Sequence, residues 1–408
     1  MSSPVGQIDI RRHNSALVLA TVAASPGVSR AGIAERTGLT KTTVSMLVER
    51  LLSADVLTET GRQHPAPARG RPATALDLSP TGPHGLGVEI GVDRLALCLT
   101  DLAGRVRTYR TLPGDHRGGR GADPARVLER VRGAVRRELG RAAAAGVPVS
   151  GVVLAVPGLV EAATGTVRAA PNLGWRDVRL PAVLGGLPVS AANEADLAAC
   201  AELWTGGHPG LRDFLYVSGE IGVGAGLVVD GALFPGSHGF AGEIGHVCVD
   251  PTDAGARCRC GARGCLETVA GREALQRAAG VATGELGPRL AAGDARAVGA
   301  VRAAGRLLGT ALASVVNAVG VPAVVLGGDY ARLEPWLRPP LEGELAARVL
   351  TARWSPVPVL PGTLGREAPA RGAAQSATRA TLADPEAYVA ARRDQPTRAS
   401  PSPSSLRR

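Results

Sequence analysis

Three cysteines and one histidine gathered in one short stretch place the tightest constraint on how this chain folds. The run Gly242-Glu243-Ile244-Gly245-His246 is followed by Cys258-Arg259-Cys260-Gly261-Ala262-Arg263-Gly264-Cys265-Leu266-Glu267. Three thiolates and an imidazole are a complete tetrahedral donor set for Zn2+. The Cys-x-Cys-x4-Cys spacing, relaxed by glycine, lets one tight turn bring three sulfurs to a point. The alternatives are a disulfide or scattered buried thiols, but half of the chain's six cysteines fall within these eight residues. Four protein ligands leave no coordination position for water, so the zinc is expected to be structural: it staples a loop and leaves the chemistry to other groups. The stretch Pro251–Arg257 lengthens the segment between His246 and Cys258, which makes His246 the least constrained of the four ligands. Cys248 is a substitute donor by position but reads as a buried strand thiol. Cys98 and Cys200 lie in apolar surroundings and read as core.

At 408 residues the chain has room for two or three domains with cores of their own. Its net charge of +10 permits contact with nucleic acid without requiring it. Lys41 is the only lysine, so almost all positive charge is arginine, a bias that reads as coding-sequence composition and not as chemistry. Arg11-Arg12 followed by Ala16-Leu17-Val18-Leu19-Ala20 and Ala23-Ala24-Ser25 imitates a secretory signal. The same residues run on into a helical pattern, and the clustered thiols suit a reducing compartment, so a soluble cytoplasmic protein is expected. No apolar run reaches membrane-spanning length unbroken by Pro, Asn or a charge.

Three zones follow one another. Residues 9–80 read as an N-terminal domain of short helices, in which 61–72 form a Pro/Gly/Arg-rich wing or linker. From 84 to 382, strand and helix patterns alternate. Strands are expected over Gly85–Ile90, Leu95–Asp101, Gly151–Ala155, Phe214–Ser218, Ala225–Val229 and Ala323–Leu326, and helices over Ala125–Ala145, Glu194–Trp204 and Ala295–Val319. This is the signature of an α/β domain with mixed sheets. Gly-rich strand turns near 87–91 and 219–226 hint at a duplicated lobe. The helix over Gly305–Val319 suits either a core or an interface. Residues 385–408, rich in Pro, Ser and Arg, are expected to be disordered.

Within the first zone, Ser29 caps one expected helix and Gly38 supplies a left-handed turn. Thr40 caps a second helix that carries Val44, Leu47, Val48 and Leu51 at core spacing. Lys41, Thr42, Thr43 and Ser45 are left facing outward, a cation and short hydroxyls suited to phosphates and base edges in a major groove. Arg30 joins this set. Leu57–Thr60 and Ala75–Leu78 bracket a basic tip, like the strands of a wing, from which Arg69 and Arg71 can reach a backbone or a narrow minor groove. An ordinary helical hairpin with a solvated linker is the plainer alternative.

Taken together, these motifs resemble the ROK family of bacterial sugar-responsive repressors and sugar kinases. The resemblance covers residues 11 to about 382. Its matching segments are Val156-Pro157-Gly158-Leu159-Val160, Pro171-Asn172-Leu173-Gly174-Trp175, Ala192-Asn193-Glu194-Ala195-Asp196, Gly242–His246 and Cys265-Leu266-Glu267. The resemblance implies an α/β fold: an N-terminal winged helix-turn-helix followed by a two-lobed actin-like ATPase domain. It implies that Asn172, Asn193, Glu194, Glu243, His246 and Glu267 face a sugar, whose adjacent hydroxyls pair with amides and carboxylates. His246 would serve the metal through one ring nitrogen and the pocket through the other.

The resemblance also locates the phosphate loops of the family's kinases, and both depart from pattern here. The first reads Glu89-Ile90-Gly91-Val92-Asp93, with a charge where a hydroxyl is expected. Two like charges about 4 Å apart repel by roughly 4 kcal/mol at an effective dielectric of 20. The second reads Glu220-Ile221-Gly222-Val223-Gly224-Ala225-Gly226, and Glu194 replaces the kinases' Asp base. The expectation is therefore a protein that is not an enzyme, with no catalytic residue and no ATP. It would be a regulator, at least dimeric, that binds a double-stranded operator and is switched by a sugar or sugar derivative. The alternatives are an ATP-dependent sugar kinase retaining a DNA-binding arm, a binding module governed by a partner protein, and a zinc sensor.

Overall fold

The computed structural model describes residues 6–62, 74–117, 123–252 and 255–393. Arg69, Arg71 and most of the 61–72 segment lie outside them, as do residues 394–408. The chain divides into two compact units: residues 1–83 together with 378–408, and residues 84–377.

The first unit opens with α1 (Gln7–Ala24), β1 (Val28–Ser29), α2 (Arg30–Thr37), α3 (Lys41–Ser53), β2 (Leu57–Arg62) and β3 (Thr74–Leu78). Local chemistry sets each boundary. The Ser29 hydroxyl accepts from the Gly32 amide at the start of α2, and Gly38 ends that helix at φ +72°. Thr40 then accepts from the Thr43 amide and starts α3. Val44, Leu47, Val48 and Leu51 are buried, at the expected spacing, with Val18, Leu19, Ile33 and Leu76. The strands form an antiparallel sheet in the order β1-β3-β2.

The second unit begins with β4 (His84–Ile90), β5 (Arg94–Thr100), β6 (Val106–Pro113), α4 (Pro124–Ala144) and β7 (Val149–Val156). A small antiparallel ribbon follows, made of β8 (Leu159–Glu161), β9 (Thr166–Ala170) and β10 (Trp175–Arg179). Next come β11 (Val183–Leu184), β12 (Leu187–Asn193), α5 (Glu194–Thr205), β13 (Phe214–Gly219), β14 (Val223–Val229) and β15 (Ala232–Leu233). Helices α6 (Glu267–Ala270), α7 (Arg272–Ala279), α8 (Leu286–Ala291) and α9 (Ala295–Val319) lead to β16 (Val324–Gly328). Then α10 (Asp329–Arg348), β17 (Val359–Pro361) and α11 (Ala368–Ala383) complete the series.

Two open mixed sheets run β11-β12-β7-β4-β5-β6 and β15-β14-β13-β16-β17. They repeat one plan. In each, the first strand pairs antiparallel with the next (β4·β5, β13·β14) and parallel with a later one (β4·β7, β13·β16). That later strand then pairs in parallel with a third (β7·β12, β16·β17). The duplication hinted at by the two Gly-rich turns is thus a repeat of strand order. Helix α9 belongs to the core. Its Gly305 and Gly309 lie against α10, where a Cβ at Gly305 would stand 2.8 Å from the Pro340 side chain and 3.0 Å from the Leu337 carbonyl.

One expectation fails here. Residues 385–393, assigned to a disordered tail, form α12 (Pro385–Arg393). Proline suits a first helical position, where no amide hydrogen bond is lost. Glu386 and Val389 are buried within the first unit. Composition alone hid this, because a short helix that covers a neighbour needs only two inward residues. Among the described residues, no helix is long and apolar enough to cross a membrane.

Candidate functional site

Parallel strands β7 and β12 end side by side, which sets Pro157-Gly158 beside Asn193. Gly158, at φ +118°, passes so close to β9 that a Cβ would lie 2.2 Å from the Ala169 carbonyl. Asn193 caps α5: its Oδ1 accepts from the amides of Ala195 (2.7 Å) and Asp196 (3.3 Å), and its Nδ2 donates to the Gly158 carbonyl at 3.0 Å. Glu194 therefore begins α5 in a fixed position. The turn between β13 and β14 brings Glu220 and Gly222 to the opposite wall. The backbone of Gly222 comes close to the pocket side chains: a Cβ there would stand 2.5 Å from Glu267 Oε2 and would displace that carboxylate.

The result is one cavity lined by Asn172, Asn193, Glu194, Glu220, Glu243, His246 and Glu267, among others. All six residues expected to face a ligand are brought together. Asn193 differs in role, since much of its amide is spent on the helix cap. Asn172 Oδ1 accepts from Arg259 of the cysteine loop at 3.2 Å, a contact across 87 positions that the sequence did not reveal. The open volume is about 60 Å3, well below the few hundred Å3 of a typical small-molecule site. Burial, with help from Glu220 and Glu89, pushes the Glu194 carboxyl well above the ordinary range. Burial also raises Asp196 to about 7, with a smaller contribution from Glu243.

His246, Cys258, Cys260 and Cys265 converge so that one donor atom from each lies within 4.8 Å of all the others. Cys258 Sγ is 3.7 Å from His246 Nδ1, and Cys260 Sγ is 3.8 Å from Cys265 Sγ. A tetrahedron with metal–sulfur bonds near 2.3 Å has sulfur–sulfur edges of about 3.8 Å. The donor set therefore fits a metal ion in its spacing as well as its chemistry. The imidazole faces two ways: Nδ1 toward Cys258, and Nε2 toward Glu243 at 3.8 Å. Glu267 Oε1 accepts from Cys258 Sγ at 2.8 Å while its residue also lines the cavity. Gly264, at φ +70°, holds the turn against Asp250. Cys248 is outside the cluster and exposed, not buried as expected: its backbone pairs with Cys265 while its side chain faces out. Cys98 and Cys200 are buried as expected.

Beside the cavity lies a charge network that sequence reasoning missed. Arg94 contacts Glu89 (2.7 Å), Asp93 (3.3 Å) and Glu220 (3.4 Å). Arg272 contacts Asp329 (2.7 Å) and Asp93 (3.5 Å), and Arg366 reaches Asp93 at 3.5 Å. Burial alone would raise Asp93, yet Arg94, Arg366 and Arg272 together hold it below the ordinary carboxylate range. Burial raises Glu89 to about 8 against the pull of Arg94. The network opens onto a cavity of about 500 Å3, walled by Leu275, Leu286, Tyr330, Leu333 and Trp336.

In the first unit, Lys41, Thr42 and Ser45 are exposed on α3. Thr43 is committed to the cap, its hydroxyl 2.9 Å from that of Thr40. Arg30 is held by Glu49 (2.6 Å) and Glu59 (2.9 Å), so it is an ion-paired group and not a free cation. Met46, 61% exposed next to Ser45, is an apolar surface residue that the search for polar groups passed over.

The ROK family profile matches residues 85–380. The chain belongs to the ROK family. A MarR family profile matches residues 9–69. The ROK relatives include a putative xylose repressor of Caldicellulosiruptor sp. (strain Rt8B.4), 35% identical over 65% of this chain and 65% of that protein. This chain therefore spans just under two thirds of that relative's length. A glucokinase of Halalkalibacterium halodurans is 31% identical over 65% of this chain and 86% of the enzyme. The crystal structure of a ROK family transcriptional regulator, a homolog of the E. coli MLC protein, superposes with a TM-score of 0.78. It is 26% identical and covers 93% of this chain and 99% of its own.

The glucokinase similarity corrects the expectation that this ROK protein is not an enzyme: the chain is related to sugar-responsive repressors and to active sugar kinases alike, which is consistent with retained catalytic potential. The physical premise also fails. The Asp93 charge is compensated: its neighbour Arg94 lies at 3.3 Å, and Arg272 and Arg366, from two distant segments, each lie at 3.5 Å.

Proposed function

We propose that this chain is a DNA-binding transcriptional regulator, a repressor in kind, whose second unit senses a sugar. The observation that carries the reading is the cavity in which Asn172, Asn193, Glu194, Glu243, His246 and Glu267 converge, two of them tied to the Cys3His cluster. Four carboxylates line it and neither lysine nor arginine does. Such a pocket favours a neutral sugar over a phosphorylated or acidic one, because an anion would be buried among like charges.

The cluster would hold a structural Zn2+ through His246, Cys258, Cys260 and Cys265. Zinc would fix His246, and through its other ring nitrogen Glu243, in position for the sugar. A Cys3His donor set needs reduced thiols, which supports a reducing, cytoplasmic setting. In the first unit the winged helix-turn-helix reading rests on capped α2 and α3 and on the outward Lys41, Thr42 and Ser45. Arg69 and Arg71, outside the described residues, would add phosphate contacts. A homodimer would present two such helices to half-sites one helical turn apart, and sugar binding would shift the population toward a state with altered spacing.

A kinase activity in the same protein is favoured by one specific observation: an arginine-edged cavity of about 500 Å3 reaches the same β13–β14 turn as the sugar pocket, Gly219 lining the one and Glu220 the other. In that reading the cavity holds the phosphoryl donor and Glu194 receives the sugar hydroxyl's proton, a task suited to a carboxyl with a raised pKa. The test of both readings is duplex binding, selected from a random library at fixed salt, titrated with neutral sugars while ATP hydrolysis is followed. A tenfold shift in DNA affinity by one sugar supports the regulator. Sugar-dependent ATP consumption that is lost in Glu194→Gln supports the kinase. DNA affinity indifferent to every sugar overturns the sensor reading.

A further inference from the structure

Sharing no residue with the sugar pocket, a cavity of about 340 Å3 opens between β6, the edge strand of the first sheet, and helix α4. Its apolar floor is Leu97, Leu112 and Ala134, and its polar wall is Arg110, Arg137, Glu138 and Arg141. The arginines come from two elements. Arg110 points from β6 toward α4, while Arg137 and Arg141 stand one turn apart on the same helical face. Glu138, only 4% exposed at its side chain, anchors the group. It accepts from Thr108 Oγ1 at 3.0 Å and Arg141 Nη1 at 2.8 Å, and it lies 3.4 Å from Arg110 Nε.

This arrangement differs from a solvated basic face in two respects. A buried carboxylate fixes the orientation of two guanidinium groups, so less side-chain freedom remains to be lost when an anion binds. Three guanidinium groups against one carboxylate leave two positive charges at the wall, and Arg137 has no carboxylate partner within ion-pair distance among the described residues. The volume is of small-molecule size. We propose that this cavity is a second ligand site, and that it takes a small phosphomonoester. Its dianion matches the two uncompensated charges, its oxygens accept from forked guanidinium donors, and its organic part rests on Leu97 and Leu112. The sugar pocket and the β6–α4 cavity would then divide by charge: the carboxylate-lined one admits a neutral sugar, and the one between β6 and α4 a phosphorylated metabolite.

The experiment is calorimetric titration of the full chain with glucose 6-phosphate, glucose and inorganic phosphate, repeated on Arg137→Gln and Arg110→Gln. Arg137 is exposed and has no ion-pair partner among the described residues, so its replacement leaves the fold intact, which an unchanged melting temperature checks. The expected result is binding of glucose 6-phosphate that weakens at least tenfold in Arg137→Gln and in Arg110→Gln, with inorganic phosphate as a competitor. Unchanged affinity in both variants, or affinity lost only in Arg272→Gln, would place the anion at the other arginine network and overturn the proposal. No binding of either phosphate compound at 10-fold molar excess over a millimolar protein sample would overturn it as well. Because the readout is direct binding, the outcome does not depend on operator recognition.

Discussion

Glu386 offers the sharpest test of how the first unit is held together. It arrives from the far end of the chain and is buried beneath α3. Its carboxylate accepts from Ser15 Oγ at 2.9 Å and from Arg50 Nε at 3.0 Å, with Arg50 Nη2 at 2.7 Å. Asp384 pairs with Arg12 of α1 alongside it. Removing one partner of a buried ion pair typically costs about 3–5 kcal/mol. The Arg50 side chain is 24% exposed and Glu386 only 8%, so water recovers part of that, and roughly 2–3 kcal/mol remains for the pair. Ser15 is 0% exposed and would lose its acceptor, which adds about 1 kcal/mol. Glu386→Ala is therefore expected to lower the local stability of α1 and α3 by roughly 3–4 kcal/mol. Amide hydrogen exchange is the suitable assay, since every tryptophan lies in the second unit. Protection in α3 should fall by two orders of magnitude or more. Glu386→Gln keeps an acceptor for Ser15 and should cost about half as much. A loss below about 1 kcal/mol in Glu386→Ala would show that the C-terminal helix is an ornament and refute this account of the core.

Three further outcomes are expected. The purified protein should carry one zinc per chain by elemental analysis, and Cys260→Ser should lose it together with at least tenfold in sugar affinity; metal loss with unchanged sugar affinity would sever the proposed link through His246 and Glu243. Because the folded-state pKa of Glu89 is raised from 4.5 to about 8, its stabilising contribution is complete below pH 4.5 and is lost as pH rises toward 8. Asp196, raised to about 7, acts in the same direction but over a lower window. Denaturant unfolding of the second unit should thus weaken from pH 5 to pH 8, and Glu89→Gln should flatten the upper part of that slope; an identical slope in the variant would show that Glu89 does not titrate there. Finally, Lys41→Ala should weaken duplex binding several-fold and reduce the salt dependence by about one counterion, whereas equal slopes would remove Lys41 from the interface.

What the sequence determined alone was set by short-range chemistry. Ser29, Gly38 and Thr40 mark the ends of α2 and α3 because caps act over two to four residues. The Cys3His donor cluster was legible because three of its four residues lie within eight positions. The core face of α3 and the span of α9 followed from periodicity, which depends only on the helix's own geometry. The cavity residues were legible as motifs, though not the division of labour among them: Asn193 is drawn into capping α5, and Arg259 reaches Asn172.

Tertiary structure alone decided the contacts that close over long stretches of chain. Arg94 is a sequence neighbour of Asp93, but Arg272 and Arg366 meet it only because distant segments of the second unit fold onto the β4–β5 turn, and no local pattern encodes that distance. That convergence changed the sign of the electrostatic argument about the phosphate loops. Arg30 is claimed by Glu49 and Glu59, and Glu386 by Arg50, 336 positions away. A charge's role depends on its neighbours within a few ångströms, since Coulomb energy and desolvation both vary on that scale. Sequence names the charges; only the fold assigns their partners.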